Sequence, residues 1–231
     1  PSLTKLYSDP ELLTEAGATL YRHAVGFLNF LSKTTRYDVA HPTSMMSMVM
    51  KAPTKGALKA LRHVLGYLKQ SIDFRLGGKC TQRNDFDFYA DSDHASTKPH
   101  STRSQTGAML MLNGVPVGWL SKRQPITAVS PAEAEVHALR DAIIAARLIQ
   151  WVAEDMRFDV KWPLVMHTDS TQAHSFQHNT CPKSRMRGCF DLREQSIKEM
   201  RDKGVVRAKY VPRELNICLL YTSPSPRDEV L

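Results

Sequence analysis

The spacing of hydrophobic and polar positions changes partway along the chain. Between residues 18 and 76 apolar side chains recur at three- and four-residue intervals, the signature of helices with one buried stripe. TLYRHAVGFLNFLSKTT puts Leu20, Ala24, Phe27, Leu28 and Leu31 on such a stripe, and PTKGALKALRHVLGYLKQSID does so with Leu58, Leu61, Val64, Leu65 and Leu68. Pro53 falls where the first turn of a helix accepts a proline. Gly77 and Gly78 then break the helix and open a linker, residues 77–85. From residue 86 the period becomes two. DFDFYADSD alternates and ends in acids, with Asp91 as the strand's end, and TGAMLMLNGVPVGWLSK reads as a hairpin turning at Asn113-Gly114. SPAEAEVHALRDAIIAARLIQWVAEDM is a long helix with Ser130 as its N-cap, Pro131 at its first position and Glu133 completing a capping box. PLVMHTDS is another strand ending in an acid, TQAHSFQHN a short helix, GCFDLREQSIKEMRDKG a helix stopped by Gly204, and VVRAKYVPRE a last strand. The order predicts an α/β fold preceded by a helical segment. Its mixed sheet has three antiparallel strands, then parallel strands with crossover helices.

Composition narrows the setting. The chain has 231 residues, 42% hydrophobic and 23% charged, enough for one large domain or two small ones with a proper core. It lacks any run of about 18 apolar residues that could cross a membrane. No basic-then-apolar leader precedes it and no Met begins it, so it is expected to be unsecreted and to come from the middle of a longer protein. Cys80, Cys181, Cys189 and Cys218 have no paired spacing, which argues for a reducing compartment. The net charge of +8 makes nucleic acid a plausible partner. Lys55, Lys59, Arg62, His63 and Lys69 lie opposite one apolar stripe, and Lys122, Arg123 and Gln124 follow the third strand. They are candidate phosphate contacts, with an ordinary solvated surface as the alternative. Met45, Met46, Met48 and Met50 are expected to fill core, and Trp119 and Trp151 to pack the sheet against the long helix. His174, His178, Cys181 and Cys189 loosely imitate a zinc site, but the irregular cysteine spacing argues against one.

The acids carry the chemistry. Asp91 and Asp169 end strands, and Glu133 and Glu135 open the long helix. Ligands of open α/β sheets gather outside the carboxyl ends of the strands, so these acids can meet at one point. Carboxylates crowded together repel unless a cation sits between them, and oxygen-only ligands favour Mg²⁺ or Mn²⁺. Two such ions about 3.5–4 Å apart would activate a water and stabilise the leaving oxygen of a phosphodiester. Taken singly, the acids read as a turn residue, a helix cap and an N-cap.

YADSDHAS, SPAEAEVHAL and MHTDSTQAH resemble the three acidic signatures of the ribonuclease H domain of copia-type retrotransposon Pol polyproteins, which read Y-S-D-A-D-W-A, S-x-x-E-A-E-Y-x-A-L and C-D-N-x-S-A. Residues 21 to 73 are similar to the segment joining reverse transcriptase to that domain. The resemblance implies a helical remnant of reverse transcriptase over 1–76 and a ribonuclease H-like domain over 86–216. Its implied activity is metal-dependent hydrolysis of RNA in RNA–DNA hybrids during reverse transcription. Asp91, Glu135 and Asp169 match the metal-binding and catalytic acids, which implies two Mg²⁺ or Mn²⁺ ions. Glu133 is then the helix cap and, with Asp93, a candidate outer-shell group. The implied partners are an RNA–DNA hybrid and the rest of the polyprotein. The implied setting is cytoplasmic virus-like particles with access to the nucleus. No Tyr-x-Asp-Asp motif of a polymerase occurs.

Two departures lower the expected cleavage rate. Cys189 stands where the family has His, and the A-D-x-L-T-K segment with a fourth acid does not follow Asn216. Residues 217–231 instead resemble translated sequencing adapter, with a natural Ser/Pro tail as the alternative, and Asp228 has the wrong context to replace that acid. The rival readings are a nucleic-acid-binding remnant that no longer cleaves and a strand-transfer enzyme of the same fold.

Overall fold

A computed structural model describes residues 9–78, 85–93, 102–170 and 197–218. These form two compact units that divide between Leu76 and Gly77.

The first unit is three helices: α1 (Glu15–Thr34), α2 (Ala40–Ser47) and α3 (Lys55–Gln70). α1 starts at Thr14, whose side chain accepts the Gly17 N–H, and α3 starts at Thr54, which accepts the Ala57 N–H. Pro53 therefore lies before the cap and not in the first turn, a correction to the expectation from sequence. α1 buries Ala18, Tyr21, Val25 and Leu28, whereas Leu20 and Phe27 are 71% and 61% exposed. The expected stripe holds at Leu28 and Ala24, but the buried row is centred on Tyr21 and Val25 instead of Leu20 and Phe27. Two neighbouring rows of α1 are apolar, and packing decides between them: the Tyr21 hydroxyl donates to the Met46 carbonyl at 3.0 Å, turning its row onto α2. α3 likewise buries Ala57, Ala60, Leu61 and Val64, leaves Leu58 and Leu68 partly buried, and exposes Leu65. Met45 and Met46 are buried in this unit, while Met48 and Met50 are half-buried. The Arg36 guanidinium pairs with Asp38 at 2.7 Å and donates to the Ser71 carbonyl and hydroxyl, tying the α1–α2 connection to the end of α3.

The second unit is a five-stranded sheet in the order β3-β2-β1-β4-β5. Its strands are β1 (Phe86–Asp93), β2 (Gln105–Leu112), β3 (Val115–Arg123), β4 (Leu164–Thr168) and β5 (Val206–Tyr210). The first three pair antiparallel, and β4 joins β1 and β5 in parallel. Asn113 and Gly114 turn the hairpin with φ of 53° and 79°, both in the left-handed region that a primed two-residue turn requires. The ladder shifts register between Leu110 and Met111, opposite Pro116, which has no N–H to give.

α4 (Pro131–Asp155) covers one face. Its Val136, Leu139, Ala142, Ile143 and Ala146 join Phe88, Ala90, Ala108, Leu110, Leu164 and Met166 in the core. Fully burying a side chain of this size contributes about 1.5–3 kcal/mol. Trp151 is not in that interface, which corrects a second expectation: it is 54% exposed, with the Arg147 guanidinium 5.3 Å above its ring. The small alanines fill the contact where an indole would not fit. Trp119 is half-buried on β3.

Residues 197–202 are helical and end in a glycine cap. Gly204 has φ 68°, its N–H reaches the Arg201 carbonyl, and the Val205 N–H reaches that of Met200. The short helix expected at 171–179, the start of the next and the zinc-like set lie outside the described residues, as does Asp228.

Candidate metal centre

β1 does not end at Asp91. Pairing with β2 continues through Asp91↔Gly107, Ser92↔Thr106 and Asp93↔Gln105, while pairing with β4 stops at Tyr89↔His167. Asp91 thus stands just past the point where β1 and β4 part. The register also makes the two aspartates level, because each lies two residues beyond the Tyr89↔His167 pair. The His167 ring stacks on Tyr89 with centroids 4.5 Å apart, and its Nε2 lies 2.8 Å from Asp87 Oδ1, so side chains reinforce this register.

The third acid comes from α4. Ser130 caps that helix by accepting the Glu133 N–H at 3.2 Å. The Glu133 carboxylate accepts the Val129 N–H at 2.7 Å, one residue before the N-cap N–H that a capping box would engage. Gln124, 1% exposed at the end of β3, donates to Thr106 Oγ1 at 3.1 Å and to the Ala134 carbonyl at 2.9 Å. It fixes the first turn of α4, and with it Glu135, beside β2.

Carboxylate oxygens of Asp91, Glu135 and Asp169 all lie within 4.8 Å of one another. Glu135 also accepts the Ser92 hydroxyl at 2.7 Å. Its carboxyl is pushed from 4.5 up to about 8, first by burial and then by the charge of Asp91, with Asp169 adding to it and the Ser92 donors opposing. At neutral pH the three groups cannot all be charged unless a cation joins them. Hard oxygens at this spacing fit a divalent ion, since ligands on opposite sides of one with bonds of 2.0–2.6 Å are about 4–5 Å apart.

Asp93 shares Asp91's face of β1 by strand alternation but is not one of the three converging acids. Among the candidate phosphate contacts, Lys55 pairs with Glu11, Lys59 with Asp9 at 3.2 Å and Lys122 with Asp141 at 3.1 Å, while Arg62 and Arg123 are exposed.

Sequence reasoning missed Ser92 and Asn216, and it took Gln124 for a candidate phosphate contact where the structure makes it a clamp on α4. Asn216, 2% exposed, points Nδ2 at Asp169 Oδ1 (3.4 Å) and the Ala90 carbonyl (3.5 Å), and its Oδ1 accepts the Cys218 N–H. Cys218 is a buried thiol whose pKa is raised by burial and then by Asp91. None of the three belongs to a periodic pattern. The one local signal was at Ser92, a hydroxyl between two aspartates.

The class is an α/β fold whose mixed sheet brings three carboxylates together from β1, the end of β4 and the start of α4. No family model matches the chain. Over 235 residues, 98% of its length, it is 26% identical to the retrovirus-related Pol polyprotein from transposon RE2 of Arabidopsis thaliana, of which it spans 16%. A secreted RxLR effector protein of Plasmopara viticola is 34% identical over 122 residues, which is 53% of this chain and 85% of that protein. Among solved structures, LC11-RNase H1 in complex with RNA/DNA hybrid superposes with a TM-score of 0.46 at 14% identity, covering 64% of this chain and all of that one. The effector match stops at about half the chain, whereas the polyprotein matches run 90–98% of its length. Along nearly all of its length, then, the chain is similar to retrovirus-related Pol polyproteins of transposons. No described helix is long and apolar enough to cross a membrane.

Proposed function

We propose that this chain hydrolyses the RNA strand of an RNA–DNA hybrid, as the ribonuclease H portion of a retrotransposon Pol polyprotein acting in reverse transcription. The observation that carries this reading is the convergence of Asp91, Glu135 and Asp169. These three would hold Mg²⁺ or Mn²⁺, as two ions. Divalent ions so held make water a nucleophile near neutral pH and offset charge on the leaving oxygen.

The chain's own residues supply the rest. Asp91 and Asp169 are held level by the β1–β4 register, and Glu135 is brought to them by the Gln124 clamp on α4. Asp93 and Glu133 serve as outer groups, Glu133 through the helix start it caps. RNA is told from DNA by its 2′-hydroxyls across the wide minor groove. Arg62 and Arg123 contact backbone phosphates, joined by Lys55, Lys59 and Lys122 where a phosphate displaces the carboxylate each now meets. The rest of the polyprotein is the partner in the chain, and the setting is the cytoplasmic particle of the element.

The test is cleavage of end-labelled RNA in a hybrid with Mg²⁺ or Mn²⁺. Cleavage should vanish with a chelator and fall about a hundredfold or more in Asp91→Asn and Asp169→Asn, because losing even an outer-shell partner of a metal ligand costs about 10–100-fold. Unchanged cleavage in either variant would contradict the reading.

A further inference from the structure

We propose that Ser92 is a positioning residue of the metal centre: its side-chain and backbone donors hold the Glu135 carboxylate in the orientation that brings it within reach of Asp91 and Asp169. The inference rests on the reading of these acids as a metal site and adds a residue to it.

Ser92 lies in β1 between Asp91 and Asp93, opposite Thr106 of β2. The Ser92 Oγ–Glu135 Oε1 distance of 2.7 Å is that of a well-made hydroxyl hydrogen bond, and the Ser92 backbone N–H donates to the same carboxyl group. Glutamate has three side-chain torsions and, from the first turns of a helix, could swing away from the two aspartates. Two donors on the neighbouring strand remove that freedom. They come from the residue next to Asp91, so Glu135 is aligned to the same piece of backbone that carries its fellow ligand. A ligand already oriented when the ion arrives binds it more tightly than one that must be ordered by it.

The experiment is Mn²⁺ binding to the full 231-residue chain, without nucleic acid, followed by the electron paramagnetic resonance of the free ion. Each variant is also melted without metal. Ser92→Ala should weaken Mn²⁺ binding about tenfold, the lower end of the range for outer-shell partners, with a melting temperature within about 2 °C of the parent. Ser92→Thr, which keeps the hydroxyl, should return affinity to within about twofold. Parent-like affinity in Ser92→Ala would overturn the proposal. So would a loss that follows the melting temperature and is not restored by Thr. If the unmodified chain binds no Mn²⁺, the metal-centre reading fails as well, and that result is distinct from the other two.

Discussion

The two units treat charge in opposite ways. In the helical unit each charged side chain that leaves water finds its opposite. Asp38 is half-buried, and burial alone would raise its pKa, but hydrogen bonds from Arg36 and Tyr67 hold it below the usual carboxylate range. In the sheet unit three carboxylates face one another, and Glu135 responds by holding its proton up to about pH 8. The same chain that neutralises acids in one unit crowds them in the other. Local electrostatic conflict of this kind is a mark of a functional site.

Replacing Asp91 tests the contrast hardest. Asp91→Asn should abolish metal-dependent cleavage and also stabilise the metal-free chain, because it removes the neighbouring charge that presses on Glu135. A rise of about 4 °C in the melting temperature is expected, read by scanning calorimetry. A variant that is inactive and less stable would mean Asp91 is structural. Arg36→Ala is the mirror experiment, for it leaves Asp38 without its cation and should cost about 3 kcal/mol, read by urea unfolding followed by circular dichroism.

Next comes pH, where the units should move in opposite directions. Asp38 is depressed when folded, so its contribution is present above its unfolded value near 3.8 and is lost as pH falls through the folded value. Glu135 is raised. Between its unfolded value near 4.5 and about 8, the folded form binds the proton and the unfolded form does not, so metal-free stability falls as pH rises across that window. Trp119, Trp151 and Trp162 are the chain's three tryptophans and all lie beyond Gly77, so their fluorescence reports the sheet unit. The metal-free fluorescence midpoint should drop from pH 5 to pH 8, and saturating Mn²⁺ should reverse the trend. Gln124→Leu, which removes the clamp on α4 while keeping bulk, should cost about 1–3 kcal/mol and weaken Mn²⁺ binding. In the helical unit, Leu28→Ala should cost about 3 kcal/mol and Phe27→Ala under about 0.5 kcal/mol, which separates the buried row of α1 from the exposed one.

That last pair marks where the sequence stopped being legible. Periodicity revealed α1 as a helix but could not choose between two adjacent apolar rows, because the choice belongs to Tyr21 and its bond to Met46. Turn chemistry and capping are local, so Asn113-Gly114, Ser130 and Gly204 were readable residue by residue. The end of β1 was not readable, since one neighbour continues past Asp91 and the other stops short of it. The acids stood out because each lies at a strand end or a helix start. Ser92 did not, because its partner is 43 residues away in sequence and only the fold brings them together.

The central claim, that the three carboxylates together bind divalent cation, is tested most directly by proton release on Mn²⁺ binding at pH 7, measured by calorimetry in buffers of differing ionisation enthalpy. With Glu135 titrating near 8, binding should expel close to one proton, and Glu135→Gln should expel almost none. Binding with no proton released, or equal release from both proteins, would contradict it.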